Sequence, residues 1–229
     1  AGFAPGSWNQ QGVGTGVQAR FNRDRAFREV LLARKTEKGG AENFSVSLQK
    51  PMLEGDAWFW QVGYAYGDAR DVNQLAGSIS IENFSSRAVF DPNEELSSRS
   101  NFAVRDRFTA AASWRHFFFD GYKTEIGAFY EGRKGRPYSY VFDNDANGDG
   151  IAGNDLLYIP TGPGDVLFGS AAEEAAFFAY ISANENLNGR RGQIAERNGQ
   201  FSSWVNSVDM RISQELPGFF DGDKAELWL

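Results

Sequence analysis

The sequence contains no cysteine, a single histidine and no long apolar run. The absence of cysteine excludes disulfide scaffolds, thiolate metal sites and cysteine catalysis. The one imidazole, that of His116, gives little support to a histidine metal cluster or a Ser-His-Asp triad. A membrane-spanning helix needs about 20 consecutive apolar residues, whereas runs such as Phe117–Phe119 are far shorter. No transmembrane helix is therefore predicted.

Basic residues are in the minority, with 23 Lys and Arg against 30 Asp and Glu and a net charge of -7. A nucleic-acid-binding surface is basic, so we expect no nucleic-acid partner. The first residues, Ala1–Pro5, have neither the basic n-region nor the apolar h-region of a signal peptide. The chain is therefore expected to be either not exported or trimmed at its start. Aromatic residues, by contrast, are abundant at 15%, although the mean hydropathy is -0.46.

Apolar and polar residues alternate at period two in segments of roughly ten residues, which predicts strands with one apolar face. The clearest segment is Ala57–Gly67, in which Trp58, Trp60 and Val62 share a face. Together the segments predict about eight strands. They are Val13–Phe21, Arg28–Lys35, Phe44–Lys50, Ala57–Gly67, Arg107–Arg115, Tyr122–Arg133, Trp204–Glu215 and Lys224–Leu229.

Strands of about 9 to 11 residues with one apolar face and aromatic residues near their ends are typical of a transmembrane β-barrel. The connections alternate in length: residues 51–56, 117–121 and 216–222 are short, whereas 68–104 and 134–203 are long. A compact soluble domain seldom contains such loops. We therefore predict an all-β, antiparallel transmembrane β-barrel segment, with short periplasmic turns and long extracellular loops. A soluble β-protein with the aromatic residues in its core is the alternative.

The longest loop contains an acidic motif that resembles the first half of an EF-hand loop. Oxygen-bearing side chains alternate from Asp143 and are followed by Gly148, an arrangement that places calcium ligands around a tight turn. The twelfth position is Asn154 instead of the bidentate Glu. An Asx and Gly turn that binds no ion is the alternative. The candidate calcium ligands are Asp143, Asp145, Asn147, Asp149 and Asp155.

The same loop is predicted to contain a helix. Ser170–Glu173 is a capping box that opens an Ala-rich helix ending near Asn188. Its apolar residues 177–181 are expected to dock the helix over the barrel mouth or to contact a ligand. Acidic pairs such as Glu94–Glu95 and Glu173–Glu174 are candidates for acid/base carboxylates, but neighbouring carboxylates on loops usually form a solvated surface. We therefore predict that the protein is not an enzyme.

Several motifs follow one another along the chain: Leu48–Pro51, Tyr64–Val72, Gly135–Tyr140, Asp143–Gly150, Asn154–Pro160, Arg191–Asn198 and Asp209–Gly218. Together they resemble the C-terminal barrel of TonB-dependent outer-membrane receptors. The similarity is closest to the Oar-like subgroup, which has an N-terminal carboxypeptidase-regulatory-like domain. It covers most of Phe44–Leu229, and the order of the motifs is more specific than any one of them.

The resemblance implies a barrel of about 22 strands that encloses a plug domain. Such a receptor lies in the outer membrane of a Gram-negative bacterium and takes up a scarce extracellular ligand with energy from a TonB complex. The implied partners are the lipid bilayer, the plug, the TonB complex and the ligand, and no cofactor is required. The sequence departs from the family because it has no plug, no TonB-contacting segment, too few strands and no final strand. We therefore expect residues 1–229 to be part of a larger receptor barrel.

Charged residues on the polar faces of the strands are the candidates for contact with the plug or the ligand path. They are Arg107, Arg115, Lys123, Glu125, Asp209, Arg211 and Glu215. A charge ladder that only keeps the lumen hydrated is the simpler interpretation. Ligand uptake by a TonB-dependent receptor is the leading prediction for function. A passive porin or surface adhesin barrel, and a soluble calcium-binding β-protein, are the alternatives.

Overall fold

The computed structural model describes residues 31–220 and 222–229, and within these ranges the chain is mostly antiparallel β-structure. Its elements in chain order are β1 (Gly40–Lys50), β2 (Trp58–Asp71), α1 (Ser80–Ser85), β3 (Ser98–Arg99), β4 (Asp106–Phe119), β5 (Tyr122–Arg133), β6 (Pro137–Tyr138), β7 (Val141–Phe142), β8 (Asp155–Leu156), β9 (Tyr158–Ile159), α2 (Ala171–Ala183), α3 (Glu185–Asn188), β10 (Gln193–Ile194), β11 (Gln200–Phe201), β12 (Val205–Pro217) and β13 (Lys224–Trp228).

One main sheet has the strand order β1-β2-β4-β5-β12-β13, and β3 pairs with the last two residues of β2. Pairing is antiparallel from β2 to β13. Five of the strands have 11 to 14 residues, whereas strands of globular proteins most often have about 5 or 6. The period-two alternation explains most of this length, because it gives each strand one apolar and one polar face, although Phe117–Phe119 at the end of β4 do not alternate.

The connections of the main sheet confirm the predicted alternation of short and long. Residues 51–57, 120–121 and 218–223 are short turns, whereas 72–105 and 134–204 are long. Because neighbouring antiparallel strands run in opposite directions, the short turns all leave one end of the sheet and the long connections leave the other. In the described residues this sheet is open, with β1 and β13 at its edges.

Six of the eight predicted strands are present in the main sheet. The segment Val13–Phe21 lies outside the described residues. The prediction for Arg28–Lys35 is wrong in its described part, because residues 31–35 have no regular secondary structure. The adjacent apolar residues Leu31 and Leu32 break the alternation there. The short connection predicted at 117–121 comprises only residues 120–121 in the structure, because Phe117–Phe119 belong to β4.

The described chain divides into two compact units. The first, here called the sheet unit, comprises residues 41–68, 103–136 and 202–229. The second, called the loop unit, comprises the described residues up to 40 together with 69–102 and 137–201. The loop unit contains the helices and the two-stranded pairs β6–β11, β7–β8 and β9–β10. Its core consists of Ile159, Ile181, Leu187 and Ala195, with Tyr140, Leu157 and Phe177 packed against them.

The predicted helix is present but is interrupted. Ser170 is the N-cap of α2, and its hydroxyl accepts a hydrogen bond from the Glu173 amide at 3.2 Å, as the capping box predicts. The helix was expected to continue to Asn188, but Asn184 adopts an extended conformation and caps α3 by accepting from the Leu187 amide at 3.2 Å. No helix in the described ranges is long and apolar enough to cross a membrane.

Candidate functional site

The main sheet has one face of apolar side chains, and these side chains are exposed. Cross-strand register places Trp60, Ala112, Ala128 and Met210 side by side on this apolar face. Met210 is 68% exposed and Trp60 is 37% exposed. The large, fully buried apolar side chains of the described residues lie instead in the loop unit. The sheet unit therefore presents to its surroundings the side chains that a globular protein would bury.

Aromatic residues lie near both ends of the apolar face. The turn-side aromatic cluster consists of Trp58, Trp114, His116 and Phe118, with ring centroids 4.5 to 6.1 Å apart along the series. The loop-side aromatic cluster lies nearer the long connections, and in it Phe108 is 4.7 Å from Tyr64 and 6.0 Å from Trp204. Smaller aliphatic residues occupy most of the positions between the two clusters.

The seven charged residues singled out in the sequence lie on the opposite face, here called the charged face. Arg115 pairs in register with Glu125, which also pairs with Ser213. Because alternate residues of a strand share a face, this register places all seven on one side. They are Arg107, Arg115, Lys123, Glu125, Asp209, Arg211 and Glu215.

Most of these side chains are joined in ion pairs, some between neighbouring strands and some within β5. In one network, Arg107 contacts Glu131 at 2.9 Å, and Glu131 contacts Arg133 at 3.3 Å. A second network lies nearer the short turns. Its contacts are Arg115–Glu125 at 3.7 Å, Glu125–Lys123 at 3.5 Å, Lys123–Glu215 at 3.8 Å and Glu215–Lys224 at 3.0 Å.

Some members of these networks were absent from the predicted set of functional residues. Glu131, Arg133 and Lys224 supply ion-pair partners that the sequence reasoning did not select. The signal was available for Glu131 and Arg133, because both continue the polar alternation of β5. The charged face is thus a cross-strand network of opposite charges, and such pairs stabilise a sheet modestly when exposed.

The acidic loop brings together three of its five predicted ligands. Carboxylate oxygens of Asp145, Asp149 and Asp155 lie within 4.8 Å of one another. Asp143 is exposed and lies outside this group. The side chain of Asn147 instead accepts from the Asp149 amide at 2.8 Å and donates to the Phe90 carbonyl at 3.1 Å. Of the predicted ligands, three carboxylates therefore lie close together.

The structure also selects a different starting residue for the EF-hand-like pattern. Counted from Asp145, the motif places Asn147 third, Asp149 fifth and Gly150 sixth, where EF-hand loops have an invariant glycine. The Gly150 amide donates to the Asp145 carboxylate at 2.9 Å. Asp155 then occupies the eleventh position. A glycine at the sixth position, Gly150, is the sequence signal for counting from Asp145. Counting from Asp143 also places a glycine, Gly148, at the sixth position, so the sequence does not separate the two matches.

Asp155 is fully buried, and its two carboxylate oxygens have different surroundings. Oδ2 accepts hydrogen bonds from the Ala146 and Asn147 amides, whereas Oδ1 is buried without a hydrogen-bond partner. Burial is the main cause that raises the pKa of Asp155 to about 6, because an apolar environment disfavours the charged form. The two amides oppose this shift, while Asp149 and Asp145 add to it.

The apolar residues of α2, the acidic pairs and two arginines of the long loop contact other residues within the loop unit. Ile181 is buried and Phe177 packs against the same core, so the apolar residues of α2 dock this helix within its own unit. Arg190 pairs with Glu196 at 3.1 Å, and Arg197 pairs with Asp71 at 3.0 Å. Among the acidic pairs, Glu95 lies 3.7 Å from Lys38 and Glu174 accepts from the Gly164 amide at 2.9 Å.

Compared with family models, with curated proteins and with solved structures, the chain has no match in any of the three. The resemblance of its motifs to TonB-dependent receptors therefore stays a prediction.

Proposed function

We propose that the chain contributes consecutive strands to the wall of a Gram-negative outer-membrane β-barrel, of the TonB-dependent receptor kind that takes up an extracellular ligand. The observation that carries this proposal is the polarity of the main sheet. Its apolar side chains are exposed, and most of the charged side chains on the other face form ion pairs. A barrel in a bilayer has this arrangement, with apolar residues toward lipid and polar residues toward the lumen.

The spacing of the aromatic clusters supports the same proposal. Phe108 and Phe118 are ten residues apart on β4, which corresponds to about 34 Å along a strand. At a strand tilt of about 40°, the distance along the membrane normal is about 26 Å. Outer-membrane barrels have an apolar band about 25 Å tall with aromatic residues at both interfaces. The two clusters are therefore spaced as interfacial girdles.

The charged face suits a lumen that surrounds water, a plug or a ligand path. Its ion pairs cross β4, β5, β12 and β13, and they leave the carboxylates and guanidinium groups partly exposed. The long connections leave one end of the sheet and the short turns the other, as extracellular loops and periplasmic turns do in this class. The geometry supports a barrel wall, and the resemblance of the sequence motifs supports the further part of the proposal, that ligand uptake is energised by TonB.

Two alanines that are neighbours on β4 test the orientation of the sheet. Ala112 lies on the apolar face beside Trp60, whereas Ala111 lies on the charged face beside Phe129. In flotation assays of the complete reading frame with phosphatidylcholine vesicles, Ala112→Arg is expected to weaken membrane association by about 2 to 4 kcal/mol, the cost of Arg near the bilayer midplane. Ala111→Arg is the matched control and is expected to associate like the parent chain. Equal effects of the two substitutions, or a parent chain that stays monomeric in water without vesicles, would contradict the proposal.

The transport class requires a separate test. A plug domain and a TonB-contacting segment in the complete reading frame, together with ligand uptake that stops when the TonB complex is deleted, are expected for a receptor. Uptake that continues without the TonB complex would indicate a passive porin, and surface attachment without uptake would indicate an adhesin.

A further inference from the structure

The acidic loop contains a cluster of carboxylates whose properties do not depend on the membrane role of the sheet. Three carboxylates, those of Asp145, Asp149 and Asp155, converge within 4.8 Å. Like charges at this distance repel one another, and burial of one of them increases the cost. The buried Oδ1 atom of Asp155 also accepts no hydrogen bond. A buried carboxylate oxygen without a partner is costly unless a cation balances it.

We propose that Asp145, Asp149 and Asp155 bind a calcium ion, and that this ion holds residues 87–91 against the acidic loop. The available ligands are all oxygen atoms, which hard cations prefer. Calcium binds oxygen at about 2.3 to 2.6 Å, so oxygens around one ion are up to about 5 Å apart. The spread of the three carboxylates is compatible with this limit.

Backbone and side-chain contacts connect the proposed ligands to the segment 87–91. Val89 bridges to Asp155, donates its amide to the Asn154 carbonyl at 2.8 Å and accepts from the Leu156 amide at 3.1 Å. The Asn147 side chain donates to the Phe90 carbonyl at 3.1 Å. An ion at Asp155 therefore stabilises the strand pairing by which the two long connections contact each other within the loop unit.

Calcium titration of the parent chain tests the proposal. The protein is prepared with EDTA, and CaCl₂ is added while heat and amide hydrogen exchange are recorded. We expect half-saturation at about 10⁻⁴ to 10⁻³ M, the range of extracellular calcium modules. Exchange is expected to slow at residues 87–91 and 145–156 and to stay unchanged in α3. Absence of heat and of added protection up to about 10 mM calcium would overturn the proposal.

Two matched substitutions separate a calcium site from an Asx turn that binds no ion. Asp155→Asn keeps the shape of the side chain but removes the buried charge, so it is expected to abolish the calcium response. In EDTA the same variant is expected to be at least as stable as the parent chain, because the uncompensated carboxylate is gone. Asp143→Asn removes an exposed carboxylate outside the cluster and is expected to titrate like the parent chain. Loss of calcium binding in Asp143→Asn, or an unchanged response in Asp155→Asn, would overturn the ligand set.

A second ligand variant and a second metal make the result independent of any folding defect in Asp155→Asn. Asp149→Asn is expected to raise the calcium concentration at half-saturation at least tenfold. Magnesium is expected to bind more weakly, because it requires shorter and more regular octahedral contacts and loses its waters reluctantly. Equal binding of magnesium, or no change of calcium affinity in Asp149→Asn, would contradict the assignment.

Discussion

Gly150 holds the acidic loop in a backbone conformation that other residues rarely adopt. Its φ is 90°, and its amide contacts the Asp145 carboxylate at 2.9 Å. Gly150→Ala is expected to destabilise the loop unit by about 1 to 2 kcal/mol, because a Cβ is unfavourable at this φ. Native-state hydrogen exchange at 145–156 measures the change. Gly162→Ala is the control, since Gly162 is surrounded by open space. Equal effects of the two substitutions would contradict this account.

The loop unit contains two buried charges with different environments. The Arg197 side chain is 5% exposed, and its guanidinium pairs with the Asp71 carboxylate at 3.0 Å and donates to the Asp71 carbonyl. Asp155 has two amide donors on one oxygen and none on the other. A buried charge is tolerated when it is paired and hydrogen-bonded. Arg197 meets this condition within the chain, and Asp155 meets it only in part, which is why the cation is proposed there.

The long strands and α2 follow from local signals that differ between strands and helices. The main strands have 11 to 14 residues, and they form because apolar and polar residues alternate over most of these positions. In α2 no such alternation exists, and the capping residue Ser170 and the alanines of the first turns favour a helix instead. The break at Asn184 has a comparable cause, because an asparagine side chain caps a helix better than it continues one.

The cap of α2 can be tested directly. Ser170→Ala removes the acceptor of the Glu173 amide and is expected to cost about 1 kcal/mol of helix stability. Ser170→Asp retains an acceptor and adds a charge that favours the helix N-terminus, so it is expected to match the parent chain. Hydrogen exchange of the Glu173 and Glu174 amides measures both variants. Faster exchange in both, or in neither, would disagree with the capping contact.

At the scale of the whole molecule, the two units have opposite ways of placing apolar residues. The loop unit buries Ile159, Ile181 and Leu187 in a core of its own. The sheet unit exposes its apolar face and pairs its charges on the other face. This difference is what the proposed barrel requires, because a barrel wall faces lipid with its apolar side chains while its loops lie in water.

Tryptophan quenching by brominated lipids tests whether the apolar face contacts lipid. The test compares two positions at the same depth, one on each face of the sheet. One variant retains Trp60 as its only tryptophan, and a second carries Phe129→Trp as its only one. These positions are level in the sheet, since Trp60 pairs with Ala112 and Phe129 with Ala111, but they lie on opposite faces. In vesicles, brominated lipid is expected to quench Trp60 strongly and the Phe129→Trp side chain weakly, with acrylamide giving the reverse order. The same quenching at both sites would rule out a lipid-facing apolar side.

The period of the sequence and its capping signals were sufficient to predict six strands of the main sheet, the charged face and the start of α2, because each depends on residues close together in the chain. The tertiary structure decided which carboxylates of the acidic loop come together. Overlapping matches begin at Asp143 and Asp145, and only contacts between distant residues separate them. Asp155 is buried by its pairing with Val89, 66 positions earlier in the chain, and no local pattern encodes that contact.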